Sequence, residues 1–221
     1  MTRRIARAKD HPPIEFEVGD VPPALTDAFV EWLERSMAAG TRFELDQTIL
    51  YGASTMKVAE GRDGRLTLLG VEPGSMPWRW IPSVEQALRD TYVQRAMVES
   101  FGLLEKLDFP DIQAASYCCS RAASAKESAL LREGAAIEHE SGWFVMCGET
   151  DHDHGDPDEL ECISLYEMTL RFPILNAFLA MPVDSSIYFG KDGFLTAFLD
   201  EQELEVAPGS LLAATRARTL S

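Results

Sequence analysis

Hydrophobic and polar residues follow two different periods along the chain, and these periods predict a mixture of helices and strands. Between residues 22 and 40, apolar residues recur at helical spacing, so that Phe29, Leu33 and Met37 would share one face of a helix. The same spacing predicts a long helix over residues 83–102. Both helices are therefore expected in the first half of the chain.

Apolar and polar residues alternate, as in strands, in the sequence between these helices and again later in the chain. Residues 42–71 predict an antiparallel meander, in which GRDG at residues 61–64 is a hairpin turn because Asp-Gly favours tight turns. SGWFVMCGE (residues 141–149) predicts a strong strand, and ISLYEMTLRF (residues 163–172) predicts a helix that restarts at Pro173. SRAASAKESALLREG, over residues 120–134, is expected to be a short helix or a crossing loop.

Together these elements predict an α+β fold, with an antiparallel sheet, packed helices and two closely associated halves. The expected organisation is a basic tail over 1–13, an N-terminal α+β half over 14–106, a second α+β half over 107–199 and a tail over 200–221.

The charge balance narrows the class of partner. Asp and Glu total 36 against 20 for Lys and Arg, a formal net charge of −16. Such a field repels nucleic acid and anionic membranes, and it attracts basic proteins. An excess of acid also keeps a protein soluble without any partner. The chain has no apolar run near the ~20 residues that span a bilayer, and the N-terminus lacks the apolar core of a secretory signal. A cytoplasmic protein is expected.

Much of the acid lies in one segment, ETDHDHGDPDELE, over residues 149–161. Its carboxylates are candidates for binding a basic protein partner: Glu149, Asp151, Asp153, Asp156, Asp158 and Glu159. A calcium loop is a poor fit. In the EF-hand template started at Asp151, Gly155 falls where an oxygen ligand is needed and Cys162 falls where the bidentate Glu belongs. No metal is therefore the favoured expectation for this loop.

A metal-binding protein or metal-dependent hydrolase is the alternative reading of the same loop. His152 and His154 would share a face if extended, with Asp151 and Asp153 as oxygen ligands. The four cysteines make no CxxC pair and favour reduced thiols: Cys118, Cys119, Cys147 and Cys162.

Motifs for catalysis are missing from the sequence. It contains no GxSxG elbow and no Walker or dinucleotide glycine pattern. Cys147 could pair with His139 or His152, but its alternation with Trp143 and Val145 favours a buried structural thiol. We therefore expect a non-enzymatic protein without a cofactor.

The second half resembles a bacterial domain family called immunity protein thirty-three, over roughly residues 113–190. The matching features are Glu140-Ser141-Gly142-Trp143 entering a strand, the acidic stretch after Gly148, Leu165-Tyr166-Glu167 opening a helix, and Pro182 followed by Ser185 and Ser186. Glu140 stands where the family usually has Asp, which keeps the charge and lengthens the side chain.

The resemblance implies a cytosolic protein, encoded near a toxin, that neutralises the toxin by binding it. It brings no catalytic residues. A toxin-neutralising immunity protein with a basic toxin domain as partner is therefore the favoured expectation. A structural or regulatory partner of an unrelated complex is a third hypothesis, beside the metal-dependent one.

Overall fold

A computed structural model of the chain describes residues 2–149, 152–190 and 193–219. The chain forms two compact units, Met1–Tyr92 and Val93–Ser221. Each unit contains a β-sheet and helices, which confirms the α+β fold class. The sequence placed the division further along the chain, near residue 107. Among the described residues, no helix is long and apolar enough to cross a membrane.

The first unit is built on a mixed sheet that has six strands among its described residues. Its strands are β1 (Thr2–Ala8), β2 (His11–Val18), β3 (Thr48–Tyr51), β4 (Ser54–Glu60), β5 (Leu66–Val71) and β6 (Trp80–Ile81). They stand in the order β1-β2-β5-β4-β3, and β6 also pairs with β5. Strands β2 and β5 run parallel, which requires a crossover between them, and a helix lies in that connection. The antiparallel sheet predicted from the sequence is therefore corrected to a mixed one.

The segment predicted as a basic tail, residues 1–13, is largely the first hairpin of this sheet. Ala6 on β1 pairs with Ile14 on β2, and both side chains are fully buried. Arg3 forms a 2.9 Å ion pair with Glu17 on the neighbouring strand. The basic composition of this segment had indicated a free tail. Instead, its residues pair with β2, and opposite charges face each other across the two strands.

The predicted meander, its turn and the two predicted helices of the first half are confirmed. Strands β3, β4 and β5 form the antiparallel meander, and the GRDG turn joins β4 to β5. Asp63 and Gly64 are the central residues of the turn closed by the Arg65 N–H and the Arg62 carbonyl, and they have φ of 54° and 71°, values that an Asp-Gly pair tolerates. The two predicted helices are α1 (Pro23–Ala38) and α2 (Glu85–Glu99). Phe29 of α1 is fully buried and meets Phe16 of β2 with ring centroids 5.1 Å apart.

The second unit contains a larger mixed sheet, with seven strands among the described residues. Its strands are β7 (Ala115–Cys119), β8 (Glu127–Arg132), β9 (Glu140–Cys147), β10 (Leu160–Ser164), β11 (Ser185–Gly190), β12 (Leu195–Leu199) and β13 (Gln202–Glu203). Their order is β10-β7-β9-β8-β11-β12-β13. Strands β7 and β9 run parallel and the other neighbours run antiparallel.

Strand β8 corrects the expectation of a short helix or crossing loop over residues 120–134. Ala, Lys, Glu and Leu favour a helix in isolation. Here residues 127–132 pair with β9 on one side and β11 on the other, and Leu130 is fully buried. Tertiary pairing and burial therefore override the local preference for helix.

The predicted tail over residues 200–221 is also structured. It contributes β13 and the helix α5 (Leu211–Thr219). Leu212 is buried, and its backbone N–H donates to Ser100 Oγ at 3.3 Å. Small residues and acids had indicated a tail here, whereas Leu212 is buried within the described part of the segment.

Two short helices cover part of the sheet in the second unit, α3 (Leu165–Arg171) and α4 (Pro173–Phe178). The Ser164 side chain caps the first by accepting from the Glu167 backbone N–H at 3.2 Å. Pro173 occupies the first turn of the second. The predicted restart of the helix at Pro173 is confirmed.

The two faces of this sheet differ in exposure. Trp143, Val145, Leu130 and Ile187 lie on the buried face. The opposite face carries one paired row of side chains across five strands: Tyr117, Phe144, Leu131, Ser186 and Phe198. Each side chain of this row is partly exposed. We call this side of the sheet the open face.

A buried cation lies beside the largest side chain of the buried face. The Arg132 guanidinium lies 5.5 Å from the ring centroid of Trp143 and is 4% exposed. It donates to the carboxylate of Asp108 at 2.7 Å and to the backbone carbonyls of Asp108, Leu179 and Met181. The guanidinium thereby joins β8 to the segment after α4.

Replacing Trp143 should therefore damage the second unit severely. Trp143→Ala removes a fully buried ring and leaves the guanidinium without its cation–π partner. We expect a loss of about 3–5 kcal/mol in the free energy of unfolding. Urea unfolding followed by circular dichroism measures it. Phe194→Ala, at a side chain that is 50% exposed, is the matched control and should change stability by less than about 0.5 kcal/mol.

Candidate functional site

Two cysteines and two histidines meet at one edge of the sheet in the second unit. They are Cys119, Cys147, His152 and His154, and their ligand atoms all lie within 4.8 Å of one another. The Nδ1 atom of His152 lies 3.1 Å from the sulfur of Cys119 and 3.1 Å from that of Cys147. His154 Nε2 lies 3.3 Å from the Cys147 sulfur. We call these four residues the Cys–His cluster.

Parallel pairing explains why distant cysteines meet. Cys119 is the last residue of β7 and Cys147 the last residue of β9. Because these neighbouring strands run parallel, their carboxyl ends lie at the same edge of the sheet. The chain then leaves β9 and returns both histidines to that edge within a few residues.

A carboxylate orients His152 from its other side. Glu159 Oε2 lies 3.1 Å from Nε2 of His152 and accepts the Ser120 hydroxyl at 3.0 Å. These two hydrogen bonds, from Ser120 first and then His152, hold the pKa of Glu159 below its usual value. Glu159 therefore stays ionised and favours the tautomer in which Nε2 carries the proton and Nδ1 faces the sulfurs.

The cluster is enclosed. Cys119, Cys147 and His152 are buried, and His154 is partly exposed. Burial raises the pKa of the Cys147 thiol, which disfavours its thiolate form. A catalytic cysteine needs the opposite shift, toward a lower pKa. The structure therefore brings Cys147 next to His152, whereas His139 lies on the exposed turn before β9.

The acidic side chains predicted to bind a partner lie in several environments. Glu149 is exposed and contacts Arg121 at 3.4 Å. The carboxylates of Asp153 and Asp156 accept the backbone N–H groups of Gly155 and Asp158, at 2.8 Å and 3.0 Å. Asp153, Asp156 and Asp158 are exposed. Asp151 lies outside the described residues.

For the alternative metal set, the structure brings the two histidines together with different partners. Cys119 and Cys147 lie beside them, whereas the Asp153 carboxylate bonds to the backbone of its own loop. The contribution of Cys119 had no signal in the sequence. It stands far from the histidines in the chain, and only the pairing of β7 with β9 brings it close. His11 is a core residue, since its Nε2 accepts the Phe43 backbone N–H at 2.9 Å.

A groove of about 1150 Å³ lies on the open face, over β8, β11 and β12. Aromatic side chains line it: Tyr188, Phe189, Phe194 and Phe198. Tyr188 and Phe194 are 44% and 50% exposed. The acidic lining residues among those described are Glu127, Glu133, Asp184, Asp200, Glu201 and Glu203. Arg132 also contributes to the wall, but its charge is paired with Asp108. We call this the acidic groove.

Comparison with known proteins identifies the second unit. Residues 93–200 match the model of the Imm33-like domain family. No curated protein and no solved structure matches the chain. The match contains the resemblance noted over residues 113–190, the whole Cys–His cluster and most of the acidic groove. Residues 93–200 therefore form an Imm33-like domain, which confirms the resemblance for that part of the chain.

Proposed function

We propose that the chain is a bacterial immunity protein that neutralises a toxin in the cytoplasm by binding it directly. The observation that carries the proposal is the acidic groove, which lies in the Imm33-like domain and combines exposed aromatic residues with carboxylates. A protein partner fits this surface better than a small substrate, because the chemistry is that of an anchor and a charged rim rather than of a reaction centre.

The aromatic residues supply the anchor. Tyr188 and Phe198 pack edge to face with centroids 5.8 Å apart, so their positions are set before any partner arrives. Large aromatic side chains held in this way contribute much of the binding energy in protein interfaces. Phe194, immediately before β12, adds exposed apolar area beside them.

The carboxylates supply selectivity for a basic partner. Six acidic side chains surround the aromatic residues, and the guanidinium of Arg132 is neutralised within the fold. Asp153, Asp156 and Asp158 extend the negative charge along the loop that follows β9. Such a surface raises the association rate with a cationic protein and repels nucleic acid. A basic toxin domain is therefore the proposed partner.

The Cys–His cluster favours binding over metal-dependent hydrolysis. A catalytic zinc keeps one coordination position open for water or substrate. Here four protein atoms already converge, and three of the four side chains are buried. That enclosed arrangement leaves the acidic groove as the surface on which function is proposed to depend.

Removing the aromatic anchor should weaken binding to the toxin encoded beside this chain. For Tyr188→Ala combined with Phe194→Ala, we expect the dissociation constant to rise by about 30-fold or more, as loss of a hot spot does. Interferometry with the purified toxin domain measures it. Tyr92→Ala, at an exposed aromatic residue of the first unit, is the control and should bind normally. Unchanged binding by the double variant would place the interface elsewhere.

Neutralising the loop should act on the rate of association instead. Asp153→Asn and Asp156→Asn keep the side-chain oxygens that accept backbone N–H groups, and Asp158→Asn changes an exposed side chain, so the triple variant should have unchanged stability. We expect slower association and a weaker dependence of that rate on salt. The matched control, Glu31→Gln with Glu44→Gln and Asp63→Asn, removes equal charge from the first unit. An equal effect of both triple variants would show that only net charge matters.

A further inference from the structure

We propose that Cys119, Cys147, His152 and His154 bind one zinc ion in a tetrahedral site, which fastens the histidine-bearing segment to the carboxyl ends of β7 and β9. This inference does not depend on the toxin-binding function. It rests on the geometry of the four donors, on the groups that orient them and on the chemical type of the ligands.

The distances between donor atoms fit a tetrahedral ion. With zinc–sulfur bonds of about 2.3 Å and zinc–nitrogen bonds of about 2.0–2.1 Å, neighbouring sulfur and nitrogen ligands lie about 3.5 Å apart. The observed sulfur–nitrogen distances are 3.1, 3.1 and 3.3 Å, and no pair of ligand atoms exceeds 4.8 Å. These three pairs would open by a few tenths of an ångström, and a pair at the 4.8 Å limit would close by about 1 Å, to complete the site.

Thiol–imidazole hydrogen bonds alone do not account for this arrangement. His152 Nδ1 lies 3.1 Å from each of two sulfurs. A neutral imidazole nitrogen has one lone pair in the ring plane, so it accepts well from only one of two thiols. A cation placed among the donors uses that lone pair and both sulfurs at once.

Hydrogen bonds from neighbouring groups orient two of the four ligands, His152 and Cys119. The Glu159 carboxylate holds Nε2 of His152, which is the contact that usually orients a metal-binding histidine. The Arg121 backbone N–H donates to the sulfur of Cys119 at 3.3 Å, a bond that a thiolate accepts better than a thiol. Ser120 completes the chain of contacts by donating to Glu159.

The ligand types select the ion. Two thiolates and two imidazoles favour zinc and similar transition metals, and they disfavour calcium and magnesium, which require oxygen ligands. Two thiolates also balance a divalent cation, so the enclosed site would carry no net charge. Because all four positions belong to the protein, the zinc would be structural.

Zinc content of the full chain, purified under reducing conditions without chelator, tests the proposal. We expect one zinc per chain by elemental analysis, and a melting temperature that falls when chelator removes the ion. Cobalt added to the metal-free protein should give the visible absorption of a tetrahedral thiolate site. Cys147→Ser and His154→Gln should each lose stoichiometric metal. Cys162→Ser and His139→Gln, at exposed residues outside the cluster, should retain it.

Glu159→Gln provides a test that does not depend on removing a ligand. Loss of the orienting carboxylate should weaken zinc affinity by about 10–100-fold, while the ligand set stays intact. Glu161→Gln is the matched control. That acid belongs to the same segment but pairs with Arg171 at 2.5 Å, so zinc affinity should be unchanged.

Three results would overturn the proposal. The first is reduced protein that neither retains zinc nor develops the cobalt spectrum. The second is a Cys119–Cys147 disulfide as the predominant form in freshly isolated protein. The third is metal retained equally by the wild type and by Cys147→Ser and His154→Gln. If Cys147→Ser does not fold, His154→Gln and Glu159→Gln still decide the matter, because neither replaces a fully buried side chain.

Discussion

The parallel pairing of β7 with β9 is the constraint on which the second unit depends. It makes the sheet mixed, and it requires β8 to be reached by a connection that leaves and re-enters the sheet. The same pairing aligns the carboxyl ends of two strands, so that Cys119 and Cys147 share an edge. An antiparallel arrangement of these strands would place the two thiols at opposite ends and leave the histidines without their sulfur partners.

Local patterns were sufficient wherever a segment's own residues decide its structure. The glycine-bounded strand at Trp143, the GRDG hairpin and the helix restart at Pro173 were all predictable, because each depends on turn chemistry or on proline. Residues 127–132 were not, since Glu, Ala, Leu and Arg favour a helix until pairing on both sides imposes a strand. The prediction of a basic tail at Arg3 was wrong for a related reason. The residue that pairs with Arg3, Glu17, lies on another strand, so the pairing is not visible in the local sequence.

The candidate site shows the same division. The histidines and acids of residues 149–161 were visible as a concentrated segment of sequence, and the two histidines do lie together. Cys119 could not be found in this way, because no spacing rule links it to His152 across the two intervening strands, β8 and β9. The aromatic residues of the acidic groove were also hidden, since Tyr188 and Phe198 come from neighbouring strands and only the register of the sheet places them on one side.

The two outermost strands of this sheet affect how a partner could bind. One edge strand, β13, has two residues, and the other, β10, carries Glu161 in an ion pair with Arg171. Short or charged edges discourage strand addition, in which a foreign backbone extends the sheet. The proposed partner would therefore contact side chains on the broad surface of the sheet. Specificity then follows the chemistry of individual residues rather than the uniform pattern of peptide groups, and self-assembly into extended sheets is disfavoured.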